Sequence, residues 1–284
     1  MMEHHRNSEL SRDYVKSNIT LVTESRQEAR FRKRLARRAP IRSASRFVPQ
    51  DPNETPEHHF PLQTISSRSA QSRFINRYDS REILILIDGS CVNNGSRDQT
   101  TKPSSGGCSF TFKGPGRYGS DVEHPFKDAN YNDGGMVGFP LEKCGPGGES
   151  YNATSNRAKL RAVIAALEFR DWQEEGWRRI VVATDLKYVV DGAISHLPTW
   201  VRRGWRTSRL KKVVNRDLWE ELNGVIENLQ RRGTSISFWL LRSGSLAKTR
   251  SALVRETKDA AREAAIEHTD ETALEFTRLC GIML

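Results

Sequence analysis

From Glu82 the chain carries an unbroken apolar run, EILILIDG (82–89), that closes on an acidic residue and a glycine. A central strand buried on both faces has that pattern. GGCSFTFKG (106–114) alternates as a half-buried strand does, and GMVGFPLEKC (135–144) predicts a weaker third strand. Residues 115–134 between them predict an irregular insertion. In TSNRAKLRAVIAALEFRDW (154–172), Leu160, Val163, Ile164, Leu167 and Phe169 recur at the three-and-four interval of one apolar helix face. The Thr-Ser-Asn-Arg opening supplies capping side chains, and the helix is expected to end near Gly176. RRIVVATD (178–185) is a further apolar strand with an aspartate at its end. LKYVVDGAISHLPTWVRRGW (186–205) predicts a helix broken at Pro198, then an aromatic and basic stretch. NRDLWEELNGVIENLQRRG (215–233) predicts an amphipathic helix stopped by glycine, SISFWLLR (235–242) a last strand, and LVRETKDAAREAAIEH (253–268) a final helix.

The order β-β-β-α-β-α-α-β-α indicates an α/β domain over residues 81–268, a mixed sheet built from a meander and crossover helices. Residues 1–80 are rich in Arg, Ser, Pro and Asn without sustained periodicity and read as a disordered basic extension. Residues 269–284 form a tail whose amphipathic pattern allows a helix. The net charge of +10, from 45 basic and 35 acidic residues among 284, points to a polyanionic partner. Inside the extension, RQEARFRKRLARR (26–38) is the densest basic run. A nuclear address, a nucleic-acid tether and a solvated helix all remain open for it.

Cys91, Cys108, Cys144 and Cys280 show no metal-binding spacing, so free thiols in a reducing compartment are expected. No apolar run reaches the ~20 residues that cross a bilayer. Residues 1–20 lack the apolar stretch of a secretory signal. A monomer in the nucleus or cytoplasm, without membrane contact, is the expectation.

Asp88 and Asp185 each follow an apolar strand at its C-terminal edge, where ligand sites gather in α/β sheets. One such aspartate commonly caps a turn. Two, in this strand order, suggest carboxylates converging on a hard cation, Mg2+ or Mn2+ rather than zinc.

The motifs IDGSCVNNG (87–95), GGCSFTFKG, TSNRAKLRAVIAAL, VATDLKYVVDG (182–192), WVRRGWRT (200–207) and ISFW (236–239) stand in the order found in type 1 ribonuclease H. GPGGESYNATSNRAKL resembles the fungal members especially, and the resemblance spans about residues 82–266. It implies a mixed five-stranded sheet flanked by helices, and hydrolysis of the RNA strand of RNA–DNA hybrids with two magnesium ions. The implied acidic set is Asp, Glu, Asp, Asp. Its first and third members fall on Asp88 and Asp185, the Glu falls on Lys159, and the last falls on Asp259. An ungapped match puts Lys258 there instead. The loop 243–252 lacks the histidine that some members use in product release.

Lys159 therefore departs from the pattern where it matters. An ammonium only donates hydrogen bonds and cannot ligate magnesium. Pairing with Asp88 and Asp185 would leave a metal site weak or absent. By the resemblance, Gly89, Ser90, Cys91, Asn94 and Asn156 touch ribose and base edges in the minor groove. TWVRRGWRTSRLKKVVN (199–215) interleaves cations with aromatics, so Trp205, Arg206 and Lys212 are candidate contacts to a DNA strand. Three functions stay open: a hybrid-cleaving nuclease impaired by Lys159, a non-catalytic nucleic-acid-binding module, and a protein-interaction scaffold.

Overall fold

The computed structural model describes residues 44–66, 71–93, 104–113, 130–132, 135–266 and 275–279. In chain order they form β1 (Ser45–Arg46), α1 (Pro56–His59), β2 (Leu62–Ser66), β3 (Gln71–Asn76), β4 (Asp79–Val92) and β5 (Ser105–Thr111). Next come β6 (Asn130–Asn132), β7 (Met136–Pro140), α2 (Ser155–Glu168), β8 (Arg179–Thr184) and α3 (Lys187–Asp191). A π-helical turn (Gly192–His196) then leads into α4 (Leu197–Arg202), α5 (Arg216–Arg231), β9 (Ser235–Leu240), α6 (Leu246–Thr249) and α7 (Ala252–Ile266).

β4 is the centre of the sheet. Ile83, Ile85 and Ile87 join one core cluster and Leu84 and Leu86 the other, which explains a run with no polar interruption. The strands lie in the order β1-β9-β8-β4-β5-β7-β6. β8 runs parallel to β4 and β9 parallel to β8, whereas β5 pairs antiparallel with β4 and with β7. Those five strands are the mixed sheet that the resemblance implies. Among the described residues the sheet is nine-stranded, because β1 and β6 add to its edges and β3, with β2 beyond it, pairs the first half of β4.

Residues 44–66 and 71–80 therefore belong to the fold, which corrects the expectation of a disordered extension over that part. Phe60 and Phe74 bury in the cluster that holds Trp239, and the Phe47 N–H donates to Phe238 O at 2.9 Å. These anchors are too few and too irregularly spaced to show as a period, yet each completes a strand edge or a core face. The basic run 26–38 lies outside the described residues, as does the expected irregular insertion 115–134 except for Asn130–Asn132, which form the edge strand β6 against β7 instead of irregular chain.

Helices cover both faces. α2 packs on β4 and β5 with α5 beside it, and α7 lies against β4, β5 and β7. α7 touches β5 directly: a Cβ on Gly107 would lie 2.2 Å from Ala261 O. Val254, Thr257, Ala261, Ala264 and Ala265 are its buried residues. The expected break at Pro198 does not occur. Proline sits in the first turn of α4, where a missing N–H costs nothing, and the irregularity is the π turn before it.

Of the tail, residues 275–279 are not helical. They pack against the edge of the core instead: Arg161, fully buried, donates to Thr277 O at 2.5 Å and to both oxygens of Glu142, with its guanidinium 4.4 Å from the Phe276 ring centre. Cys91, Cys108 and Cys144 are free thiols, and Cys280 lies outside the described residues. No helix among the described residues is long and apolar enough to cross a membrane.

A lysine-bridged carboxylate pair at the ends of the central strands

The parallel register of β4 and β8 places Leu86 opposite Ala183. Two residues further along each chain come Asp88 and Asp185, so two apolar strands deliver two carboxylates to one rim of the sheet. Gly89 lets α2 reach the same place. A Cβ there would lie 2.4 Å from the Lys159 backbone N and 2.6 Å from the Ala158 carbonyl carbon. Only a bare Cα permits helix and strand to touch so closely.

That contact carries Lys159, one turn into α2, up to the carboxylates. Its Nζ donates to Asp88 Oδ1 at 2.9 Å and, more closely, to Asp185 Oδ1. Asp88 Oδ1 also accepts the Gly89 N–H at 2.6 Å. The second oxygen of Asp185 is taken by another lysine, Lys248 of α6, at 2.6 Å. Only 11% of the Lys159 side chain is exposed. Burial works against its charge, but the two carboxylates outweigh that and hold the ammonium above the ordinary lysine range. Burial likewise works against the Asp185 anion, and Lys159 and Lys248 together hold its pKa below the usual carboxylate value.

Asp259 does not join this group. Thr257 and Ala261 of α7 face the sheet, and Ser109 Oγ donates to Thr257 O at 2.5 Å. Asp259 lies two residues from Thr257, about 200° around the helix, and is exposed. Lys258 is exposed as well. Among the described residues no three His, Cys, Asp or Glu side chains are grouped so as to hold a metal ion. The expected trio Asp88, Asp185 and Asp259 is thus not assembled, because the stripe of α7 that packs on the sheet fixes the helix phase.

The donor set does not fit a divalent pair. Both carboxylates already accept from an ammonium, and an ion entering between them would have to displace Lys159 and, at Asp185, Lys248. The cluster holds two anions and two cations, so its formal charge is balanced without any added ion.

Around this centre the other candidates are distributed unevenly. Gly89 is buried beneath α2, whereas Ser90 and Cys91 are partly exposed on the end of β4. Asn156 is exposed in the first turn of α2, and Asn94 lies outside the described residues. Trp205, with φ of 65°, is half-buried and packs against the core, while the Arg216 guanidinium lies 5.8 Å from its ring centre. Beyond it the chain folds back on itself. Arg206 bridges to Lys212, Arg206 Nη1 donates to Leu210 O at 3.0 Å, and the Thr207 N–H donates to Lys211 O at 2.9 Å. Arg206, Arg209, Lys211 and Lys212 are all exposed on this loop. Trp219 and Trp239 are core residues.

Two residues escaped the sequence reading. Lys248 sits in the single turn α6, too short to show a period, and nothing in its neighbours marks it as facing Asp185. Tyr188 ties α3 to the end of the basic loop and to α5: its hydroxyl donates to Val214 O at 3.0 Å and accepts from Trp219 Nε1 at 2.8 Å. Its place one residue into α3, just past Asp185, was a signal of proximity to the site, though not of its partners.

Comparison with known proteins gives matches to one family. The RNase H family profile matches residues 80–234. A ribonuclease H of Cyanothece sp. is 32% identical over 123 residues, 43% of this chain and 74% of that protein. One from Treponema pallidum is 31% identical over 147 residues, 52% of this chain and 74% of that protein. Among solved structures, a type 1 RNase H described as carrying the type 2 active-site motif is 24% identical, covering 66% of this chain and 74% of that one with a TM-score of 0.42. The family match stops before α6 and α7, the elements that carry Lys248 and Asp259.

Proposed function

The chain belongs to the RNase H family, and on that premise we propose that it binds RNA–DNA hybrid duplex while hydrolysing the RNA strand poorly or not at all. The observation that carries this reading is the Lys159 ammonium held between Asp88 and Asp185. Cleavage of a phosphodiester by this family's chemistry needs divalent ions between acidic ligands. Here a cation that can neither coordinate nor activate a water stands between them. Duplex binding rests on other groups: the partly exposed end of β4, Asn156 and the loop bearing Arg206, Arg209, Lys211 and Lys212. Exposed cations of that density neutralise backbone phosphates.

Two measurements on the full chain test the reading. Fluorescence anisotropy with a labelled RNA–DNA hybrid should give binding that weakens steeply as salt is raised. A gel-based cleavage assay with Mg2+ should show little product from the natural sequence and orders of magnitude more from Lys159→Glu. Absence of any hybrid binding by folded protein excludes the reading. Efficient Mg2+-dependent cleavage that Lys159→Glu leaves unchanged, while Asp88→Asn abolishes it, refutes Lys159 as the defect.

A further inference from the structure

Lys248 is the unexpected member of the cluster. It comes from α6, a single turn opened by Ser245, whose hydroxyl accepts the Lys248 N–H. This short turn fixes the backbone beside the sheet rim and aims the side chain at Asp185. Lys159 and Lys248 take different oxygens of that carboxylate, so each holds a place the other does not fill. They also come from separate parts of the chain, the first helix after the meander and the short turn α6 before the last helix. Neither is a by-product of the other's position.

The consequence is electrostatic. A rim carrying bare carboxylates repels the phosphodiester backbone of an incoming duplex, and divalent ions ordinarily relieve that repulsion. In this chain the carboxylates are already neutralised from within. We propose that Lys159 and Lys248 form a resident cation pair that takes over the charge-balancing role of divalent ions at Asp88 and Asp185, so that this rim accepts a nucleic-acid backbone with no metal present. The inference rests on the reading that the chain binds hybrid duplex. It adds that binding is independent of divalent ions and that Lys248 is needed alongside Lys159.

The test compares hybrid affinity of the full chain in EDTA and in Mg2+ at matched ionic strength. The natural sequence should bind within about twofold of the same affinity in both, since no phosphate contact runs through a divalent ion. Lys159→Ala combined with Lys248→Ala should weaken binding in EDTA by about tenfold or more, and Mg2+ should restore much of the loss. Asp185→Asn moves the other way: with one carboxylate neutralised, Asp88 still balances one ammonium, one positive charge is left in excess and affinity in EDTA rises. That substitution removes a charge without adding bulk, so it serves as the deciding variant if the double lysine variant does not fold. Lys248→Gln alone should produce part of the double variant's loss.

A natural sequence that binds hybrid only with Mg2+, or about tenfold better with it, overturns the proposal while leaving hybrid binding itself intact. An Asp185→Asn protein with lowered affinity in EDTA overturns it as well. Failure to bind hybrid under either condition, with a folded circular dichroism spectrum, instead defeats the underlying reading.

Discussion

Gly89 and Lys159 meet through their backbones: the missing Cβ of the one would stand 2.4 Å from the amide nitrogen of the other. This contact sets the distance between α2 and β4 and hence how far the Lys159 side chain reaches over the strand end. Gly89→Ala tests it. The intruding methyl faces backbone atoms, which cannot rotate away, so the substitution should destabilise the fold by about 3 kcal/mol. Chemical denaturation reads that loss directly. An alanine variant as stable as the natural sequence would mean that α2 and β4 do not touch there.

Removing the ammonium should be costly too. Lys159→Met leaves Asp88 without its cation and Asp185 with Lys248 alone. The expected loss is about 2–3 kcal/mol, under the usual figure for truncating a buried pair because Asp185 is partly open to water. The pH dependence follows from the two shifts. Lys159 is held above its ordinary value of 10.5, so its contribution is complete below that pH and disappears as pH rises through the elevated pKa. Asp185 is held below 3.8, so its contribution is complete above that pH and fades as pH falls through the depressed value. The stability gap between natural and Lys159→Met proteins should therefore be flat across neutral pH and shrink at both extremes. Thermal unfolding over a pH series checks this, and a gap that changes between about pH 6 and 8 would contradict the assignment.

The segment before β4 is open to a similar test. Phe60 is fully buried among Phe47, His59 and Trp239, in a stretch whose composition suggested disorder. Phe60→Ala should cost about 3–5 kcal/mol in denaturant unfolding, as deletion of a core aromatic does. A cost near zero would return residues 44–66 to the status of a loose extension.

Much of this architecture is legible in the sequence because its signals are local. The unbroken run of β4, the three-and-four spacing of α2 and the strong amphipathic pattern of α5 each follow from one segment's own periodicity. Asp88, Lys159 and Asp185 were legible for another reason: each sits at a motif whose order matches a known family. What could not be read depends on partners distant in sequence. Lys248 meets Asp185 across 63 residues, from a single helical turn too short to show a period. Asp259 was misjudged because its position depends on the phase of α7, which is set by Thr257 against Ser109 and Ala261 against Gly107 and not by spacing along the chain. Arg161 reads as one more cation on a basic chain, yet it is buried and clasps Glu142 and the backbone of Thr277. Burial of a charge is decided by what folds over it.

The most direct test of the lysine-bridged centre is a Mn2+ titration followed by electron paramagnetic resonance, which reports ion binding whether or not any substrate turns over. The natural protein should show no saturable site at the strand rim, and Lys159→Glu should gain one that Asp88→Asn removes. Saturable Mn2+ binding by the natural sequence, lost on Asp88→Asn, would show that the ammonium yields its place to a metal and would overturn the account.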